Sequence, residues 1–229
     1  MKIHFYRLIP LFICLFFATI STAQPEQAKE IRYCHHATHD YEIRPLTSQE
    51  LAARDASIER SDTFDLLHID INLEIINFSA QTINGFTDIT FTPKMENVEV
   101  LPLDLLALDI DSILLDGVVT DYTYNDLLIN VDLQGPMNTT DTSVVRVYYN
   151  GNPTFDPSGF GGLKFENGYA YNLGIGLSSN PYNFGRSWFP CFDNFVERST
   201  YGFNITTANN RRAYCTGTFL GETQISGDT

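Results

Sequence analysis

The densest group of possible metal ligands is Cys34-His35-His36-Ala37-Thr38-His39-Asp40, in which His35 and His39 stand four residues apart. On a helix that spacing puts two imidazoles on one face, where they could share a zinc ion. Zinc-dependent hydrolysis also needs a carboxylate to activate the bound water, and the residue after His35 is His36, not glutamate. The segment therefore reads as a solvated polar stretch, with a metal-binding arm as the sharper alternative. A serine hydrolase would carry G-x-S-x-G between a strand and a helix, and the nearest approach is Pro157-Ser158-Gly159 in a loop-like stretch. None of the five histidines lies beyond His68, so no serine or cysteine of the second half has a base close to it in sequence. His68 itself falls on the polar side of an alternating run and reads as a solvated strand residue, not as a base. Glycoside hydrolysis would need paired carboxylates in a cleft, and no pair stands out among 28 acidic residues.

The segment Arg186-Ser187-Trp188-Phe189-Pro190-Cys191-Phe192-Asp193 holds the only tryptophan. Its rings at Trp188, Phe189 and Phe192 are suited to burial, and Pro190 blocks continuation of a ladder. Arg186 and Asp193 can satisfy the polar groups of the resulting turn. With no base or metal set beside it, this motif reads as structural.

The elements that would position these residues begin after an export leader. Lys2 and Arg7 precede the apolar run of residues 8–20, and Ser21-Thr22-Ala23 ends it, the pattern of a signal peptide cleaved after Ala23. The run is too short to span a bilayer, and no later stretch reaches the roughly 20 apolar residues a membrane helix needs. The mature protein is expected to be exported, to a periplasm or to the extracellular space. Without Lys2 and Arg7, 12 of the 14 basic residues remain against 28 acidic ones, a formal charge of −16, which makes nucleic acid and anionic membrane poor partners. Three cysteines remain, Cys34, Cys191 and Cys215. They permit one disulfide at most, and the two readings are small buried hydrophobes or a Cys191 to Cys215 bridge.

Residues 24–60 form a polar N-terminal arm whose one regular signal is Thr47 with Glu50 three residues on, a capping box opening a short helix over 48–60. From residue 61 the period becomes two. Leu67, Ile69, Ile71, Leu73 and Ile75 alternate with polar residues, and Ile83, Gly85, Thr87, Ile89 and Phe91 come after a turn at 77–81, together predicting a long hairpin. Shorter strands are expected at 98–103, 108–115, 127–133 and 144–149, separated by Asp116-Gly117, Asn125-Asp126, Gly135-Pro136 and Asn150-Gly151. Residues 151–185 turn to Gly, Pro, Asn and aromatics around a strand-like island at 169–173, and alternating runs at 200–206 and 213–220 close the chain. Strands this regular predict an all-β, antiparallel β-sandwich over residues 61–229, with no βαβ unit.

The order Gly161-Gly162-Leu163-Lys164-Phe165, Gly168-Tyr169-Ala170-Tyr171, the Arg186 to Asp193 motif, Thr200-Tyr201-Gly202-Phe203-Asn204-Ile205 and Thr216-Gly217-Thr218-Phe219-Leu220-Gly221-Glu222 resembles the N-terminal domain of the gluzincin zinc aminopeptidases, the aminopeptidase N family. The opening His68-Ile69-Asp70-Ile71-Asn72-Leu73 run matches as well, so the resemblance extends over about 61–222. It implies a β-sandwich that packs on a separate catalytic domain and closes one end of a peptide cleft. It implies zinc in a full-length parent, held by an H-E-x-x-H helix and a distant glutamate, none of which occurs here, so no catalytic residue, no metal ligand and no bound zinc are expected of this chain, which looks like a fragment whose missing catalytic domain is its partner. The family also offers an acidic or amide side chain to the substrate's free α-ammonium, in a run that here reads Asn172-Leu173-Gly174-Ile175, with Ile175 where the carboxylate would stand. Asn172 and Tyr171 are the substrate-binding candidates, and a turn-satisfying asparagine is the structural alternative. The rival from another class is a non-catalytic exported β-sandwich that serves as an interaction or scaffold module.

Overall fold

The computed structural model describes residues 47–177, 183–208 and 211–225. The leader, the arm up to residue 46 and the His35/His39 pair lie outside the described residues.

A 16-residue helix, α1 (Ser48–Thr63), opens directly after Thr47 and runs three residues beyond its expected end. It carries no apolar stripe. Its buried positions are Ser57 and Ser61, so polar contacts hold it in place.

The chain then enters β1 (Phe64–Ile75) and β2 (Ile83–Pro93), the expected long antiparallel hairpin. β3 (Val98–Asp104) and β4 (Asp109–Leu115) come next, then the short β5 (Val118–Val119) and β6 (Tyr122–Tyr124). The longer β7 (Leu128–Met137) and β8 (Ser143–Gly151) succeed them. β9 (Lys164–Glu166) and β10 (Tyr169–Tyr171) form a small separate hairpin, and β11 (Thr200–Thr207) is the last strand among the described residues. The order β11-β1-β2-β8-β4-β5 makes a six-stranded sheet, and β3-β7-β6 a three-stranded one. Among the described residues the fold is all-β apart from α1 and a single 3-10 turn, Gly185–Ser187.

Both larger sheets feed one apolar cluster. Ile69, Ile71, Ile89, Phe91, Val145 and Val147 come from the first, and Leu101, Leu103, Ile129 and Val131 from the second. Strands with one buried face show the period-two pattern for this reason. The hydroxyl of Tyr149, fully enclosed in the cluster, pairs with Thr87 Oγ1 at 3.0 Å, which satisfies both groups.

Three departures from the expected pattern have physical causes. In β1 the alternation places Leu67 inward, yet Leu66 is fully buried and Leu67 is 42% exposed. The pairing with β2 shifts between Leu66 and His68, and such a bulge inserts one residue and exchanges the faces on one side of it. Gly135-Pro136 does not end β7. Gln134 (φ 60°) and Gly135 (φ 147°) bend the strand, and pairing with β3 resumes at Met137 opposite Val98. Finally, the sheet is not purely antiparallel: β11 runs parallel to β1, with His68 opposite Thr200 and Ile75 opposite Thr207.

Residues 213–220 were expected to form a strand and belong to none; residues 211–225 have no ladder partner among the described residues. Cys191 is buried and Cys215 exposed, and both are free thiols.

Candidate functional site

The motif around Trp188 forms a corner clamped to the end of β3. Cys191 and Asp104 exchange backbone hydrogen bonds at 2.8 and 3.1 Å, and the Leu106 N–H donates to the Arg186 carbonyl at 2.7 Å. The corner is thereby stitched to a strand that lies some ninety residues earlier in the chain. Pro190, with no N–H to offer, sits just before this bridge and is buried. Phe184 takes a left-handed backbone (φ 60°) to begin the turn. Trp188 packs edge-on against Phe189 with ring centroids 4.6 Å apart, and its Nε1 is buried without an acceptor.

Two arginine and aspartate pairs hold the corner from within. Arg186 Nη1 pairs with Asp193 Oδ2, and Arg60 Nη2, from α1, pairs with Asp104 Oδ2. Asp104 Oδ2 also accepts the Asp193 N–H at 2.9 Å, while Asp193 Oδ1 accepts the Gly185 N–H at 2.9 Å. Asp193 is 2% exposed. Burial raises its pKa above the ordinary aspartate value, with Arg186 opposing the shift and the nearby Asp104 carboxylate adding to it. Burial likewise pushes the Cys191 thiol well up, which makes it a poor nucleophile. Asn194 completes the clamp on α1. Its Nδ2 donates to the Ser57 carbonyl at 2.8 Å and to Ser61 Oγ at 3.1 Å, and its Oδ1 accepts the N–H groups of Val196 and Glu197.

The two substrate-binding candidates lie elsewhere, at the end of the β9/β10 hairpin. Asn172 Oδ1 accepts the Gly174 N–H, closing a local turn. The Tyr171 hydroxyl donates to Glu166 Oε2 at 2.8 Å, and Lys164 Nζ pairs with the same carboxylate oxygen at 3.1 Å. The Tyr171 hydrogen bond, then Lys164, lower the pKa of Glu166. The carboxylate that stands beside Tyr171 thus comes from the preceding strand. Sequence reasoning missed it because cross-strand pairing, not adjacency, brings Glu166 opposite Tyr169 and within reach of Tyr171. Beyond this hairpin Leu173, Ile175 and Leu177 are exposed, and the Gly161 and Gly176 backbones meet there so closely that a Cβ on Gly161 would lie 2.6 Å from Gly176 Cα.

On the outer face of the large sheet, a hollow of about 440 Å³ is lined by Asp88, Leu114, Asp116, Gly117, Val144 and Arg146. Its charges answer one another. Arg146 makes two 2.6 Å hydrogen bonds to Asp88 and lies 4.1 Å from the centre of the Phe86 ring, and Asp116 Oδ1 accepts the Val144 N–H. His68, the only histidine among the described residues, hydrogen-bonds Thr200 Oγ1 at 2.8 Å. The Thr200 hydroxyl also donates to the Leu67 carbonyl at 3.0 Å, so its contact with His68 belongs to the join of β1 and β11. No three His, Cys, Asp or Glu side chains among the described residues are grouped so as to hold a metal ion.

Over 72% of its length the chain superposes on an M1 zinc metallopeptidase from Deinococcus radiodurans, an E323A mutant bound to the substrate Tyr-Ser-Ala, with a TM-score of 0.64 and 22% identity. Over that stretch the chain shares the fold of part of that metallopeptidase. It spans 37% of the metallopeptidase's length. A second structure of the M1 zinc metallopeptidase from Deinococcus radiodurans matches with a TM-score of 0.63 and 21% identity, again over 72% of this chain and 37% of that one. Leukotriene A4 hydrolase from Saccharomyces cerevisiae matches at a TM-score of 0.47 and 18% identity, over 64% of this chain and 24% of that one. No protein-family model matches the sequence, and no curated protein matches it. No helix among the described residues is long and apolar enough to cross a membrane.

Proposed function

We propose that this chain is the N-terminal β-sandwich domain of an exported zinc metallo-aminopeptidase, that it caps one end of the peptide cleft, and that the zinc-binding catalytic domain lies outside these 229 residues. The observation that carries the reading is the superposition on a zinc metallopeptidase over 72% of this chain but only 37% of that one. The larger share of such an enzyme remains to carry the metal. In a catalytic domain zinc would polarise a peptide carbonyl or activate water.

What this chain would contribute is position and exclusion of solvent. The Arg186, Asp193, Asp104 and Arg60 network fixes the corner, and the Gly161 to Gly176 contact fixes the loop after Tyr171 and Asn172. A wall held this rigidly can orient an extended peptide without joining the chemistry. The exposed Leu173, Ile175 and Leu177 offer apolar surface for a catalytic domain to cover. Peptides are the substrate class of this reading, and the missing domain is the partner.

One observation favours a second reading. Ile175 is exposed where an acidic side chain would meet a substrate ammonium, which suits a non-catalytic interaction module. The locus separates the two. An in-frame H-E-x-x-H helix encoded within a few hundred codons past Thr229 supports the peptidase. A stop codon directly after Thr229 in an intact gene, with an isolated chain that folds stably, supports the module.

A further inference from the structure

Three asparagines in the chain are followed by glycine: Asn84-Gly85, Asn150-Gly151 and Asn167-Gly168. A glycine in that place has no side chain to shield its backbone nitrogen, which can attack the asparagine carboxamide. The fold treats the three pairs differently. Asn84 and Gly85 lie inside β2, where Gly85 is paired with Leu73 of β1 on one side and Tyr149 of β8 on the other. A Cβ on Gly85 would lie 2.0 Å from the Asn72 carbonyl oxygen, so the backbone there has no room to swing. Asn150 is paired with both Asn84 and Asp109, and Gly151 with Ile83. The Asn150 Nδ2 also donates to both carboxylate oxygens of Asp111, at 3.0 and 3.1 Å.

Asn167 and Gly168 instead make the two-residue turn between β9 and β10, with φ of 52° and 82° and with Glu166 opposite Tyr169 as the ladder pair that closes it. Positive φ at both positions is the backbone that Asn-Gly favours in a tight hairpin. Asn167 is exposed, and no hydrogen bond holds its carboxamide among the described residues. Nothing lies within 4 Å of where a Cβ on Gly168 would stand. The turn borders a hollow of about 90 Å³, lined also by Phe78, Gln81, Phe165, Glu166 and Tyr169, which has room for water. The turn at Asp116-Gly117 has positive φ at both positions too. There, however, Asp116 Oδ1 is held by the Val144 N–H at 2.8 Å, and a carboxylate is a poorer electrophile than a carboxamide.

We propose that Asn167 is a site of spontaneous deamidation and that the fold selects it over Asn84 and Asn150. The Gly168 backbone nitrogen attacks Asn167 Cγ, the Cγ–Nδ2 bond breaks, and the proton of the attacking nitrogen leaves with ammonia, which closes a succinimide ring. Water then adds at either ring carbonyl. Opening at Cγ gives aspartate, and opening at the main-chain carbonyl carbon gives isoaspartate. The sum converts an amide and a water into a carboxylic acid and ammonia. Either product sets a new carboxylate next to Glu166, whose own carboxylate holds Tyr171 and Lys164. Isoaspartate also adds a methylene to the main chain of the turn, which disturbs the pairing of Glu166 with Tyr169. The site stands on the turn alone and does not depend on the peptidase reading.

Peptide mapping by mass spectrometry, on the folded chain incubated at mildly alkaline pH, tests it. Asn167 should convert to aspartate and isoaspartate about a hundredfold or more faster than Asn84 or Asn150, because those two react only after the sheet opens. In urea, where each asparagine has a glycine next to it and no fold around it, the three rates should converge. Gly168→Ala crowds the attacking nitrogen and should slow conversion at Asn167 about tenfold or more. An Asn167 that stays intact while Asn84 or Asn150 converts overturns the proposal. So does conversion to aspartate without isoaspartate, since direct hydrolysis would then have bypassed the succinimide. A ratio of rates in urea equal to that in the folded chain also overturns it, because the fold would then select nothing.

Discussion

Asp193 binds the corner at both ends: its side chain pairs with Arg186 and accepts the Gly185 N–H, and its own backbone N–H reaches Asp104. Asp193→Ala should cost about 3 kcal/mol or more in urea denaturation at neutral pH, because it leaves the Arg186 charge without its counter-charge in a nearly closed site. Burial also makes this contribution depend on pH. The folded protein holds the Asp193 proton more readily than the unfolded chain does, so the residue's contribution is fully present below the ordinary aspartate pKa and declines as pH rises through the raised folded value. The stability difference between the unmodified chain and Asp193→Asn should therefore shrink as pH climbs from about 3.5 to neutrality, and a difference that grows over that window would contradict the assignment. The sequence shows this pair because Arg186 and Asp193 lie in one short motif. It does not show Arg60 and Asp104, which come from α1 and β3 and meet only in the folded chain.

At the scale of elements, two contacts position the parts the sequence left loose. Asn194 ties α1 to the corner, and Asn194→Ala removes both bonds to Ser57 and Ser61 as well as the acceptor for Val196 and Glu197. The expected result is a loss of roughly 2 kcal/mol, with hydrogen exchange in α1 rising well before exchange in β1 and β2. Gly161→Ala forces a Cβ against the Gly176 backbone, so the loop carrying Ile175 must move away. That variant should lose about 1–3 kcal/mol and become open to proteolysis at 175–177, where Ser158 Oγ now accepts the Leu177 N–H. Most strands were readable from a period of two, since each buries one face. Leu67 was misplaced because alternation carries no mark of where a bulge inserts a residue. Gly135-Pro136 reads as a stop by composition but is a bend, because the β3 partner picks the strand up again at Met137. The β9/β10 hairpin gave only half its signal, since β9 is three residues long and its Lys164 and Glu166 read as loop.

For the whole molecule, the parallel join of β11 to β1 closes a loop of more than a hundred residues, and no local pattern announces such a pairing. Among the described residues it also makes β11 the last strand on its side of the sheet. Among the described residues, Asp88 pairs with Arg146 and Asp193 with Arg186, and the buried Cys191 and exposed Cys215 are free thiols. The measurement that bears most directly on the chain's role is release of the first residue from aminoacyl-arylamide and short peptide substrates. It compares residues 24–229 alone with the polypeptide encoded by the uninterrupted reading frame, each with zinc and with a chelator. The account predicts chelator-sensitive turnover by the longer polypeptide and none by residues 24–229. Zinc-dependent turnover by residues 24–229 alone, or none by a longer polypeptide that carries H-E-x-x-H, would contradict it.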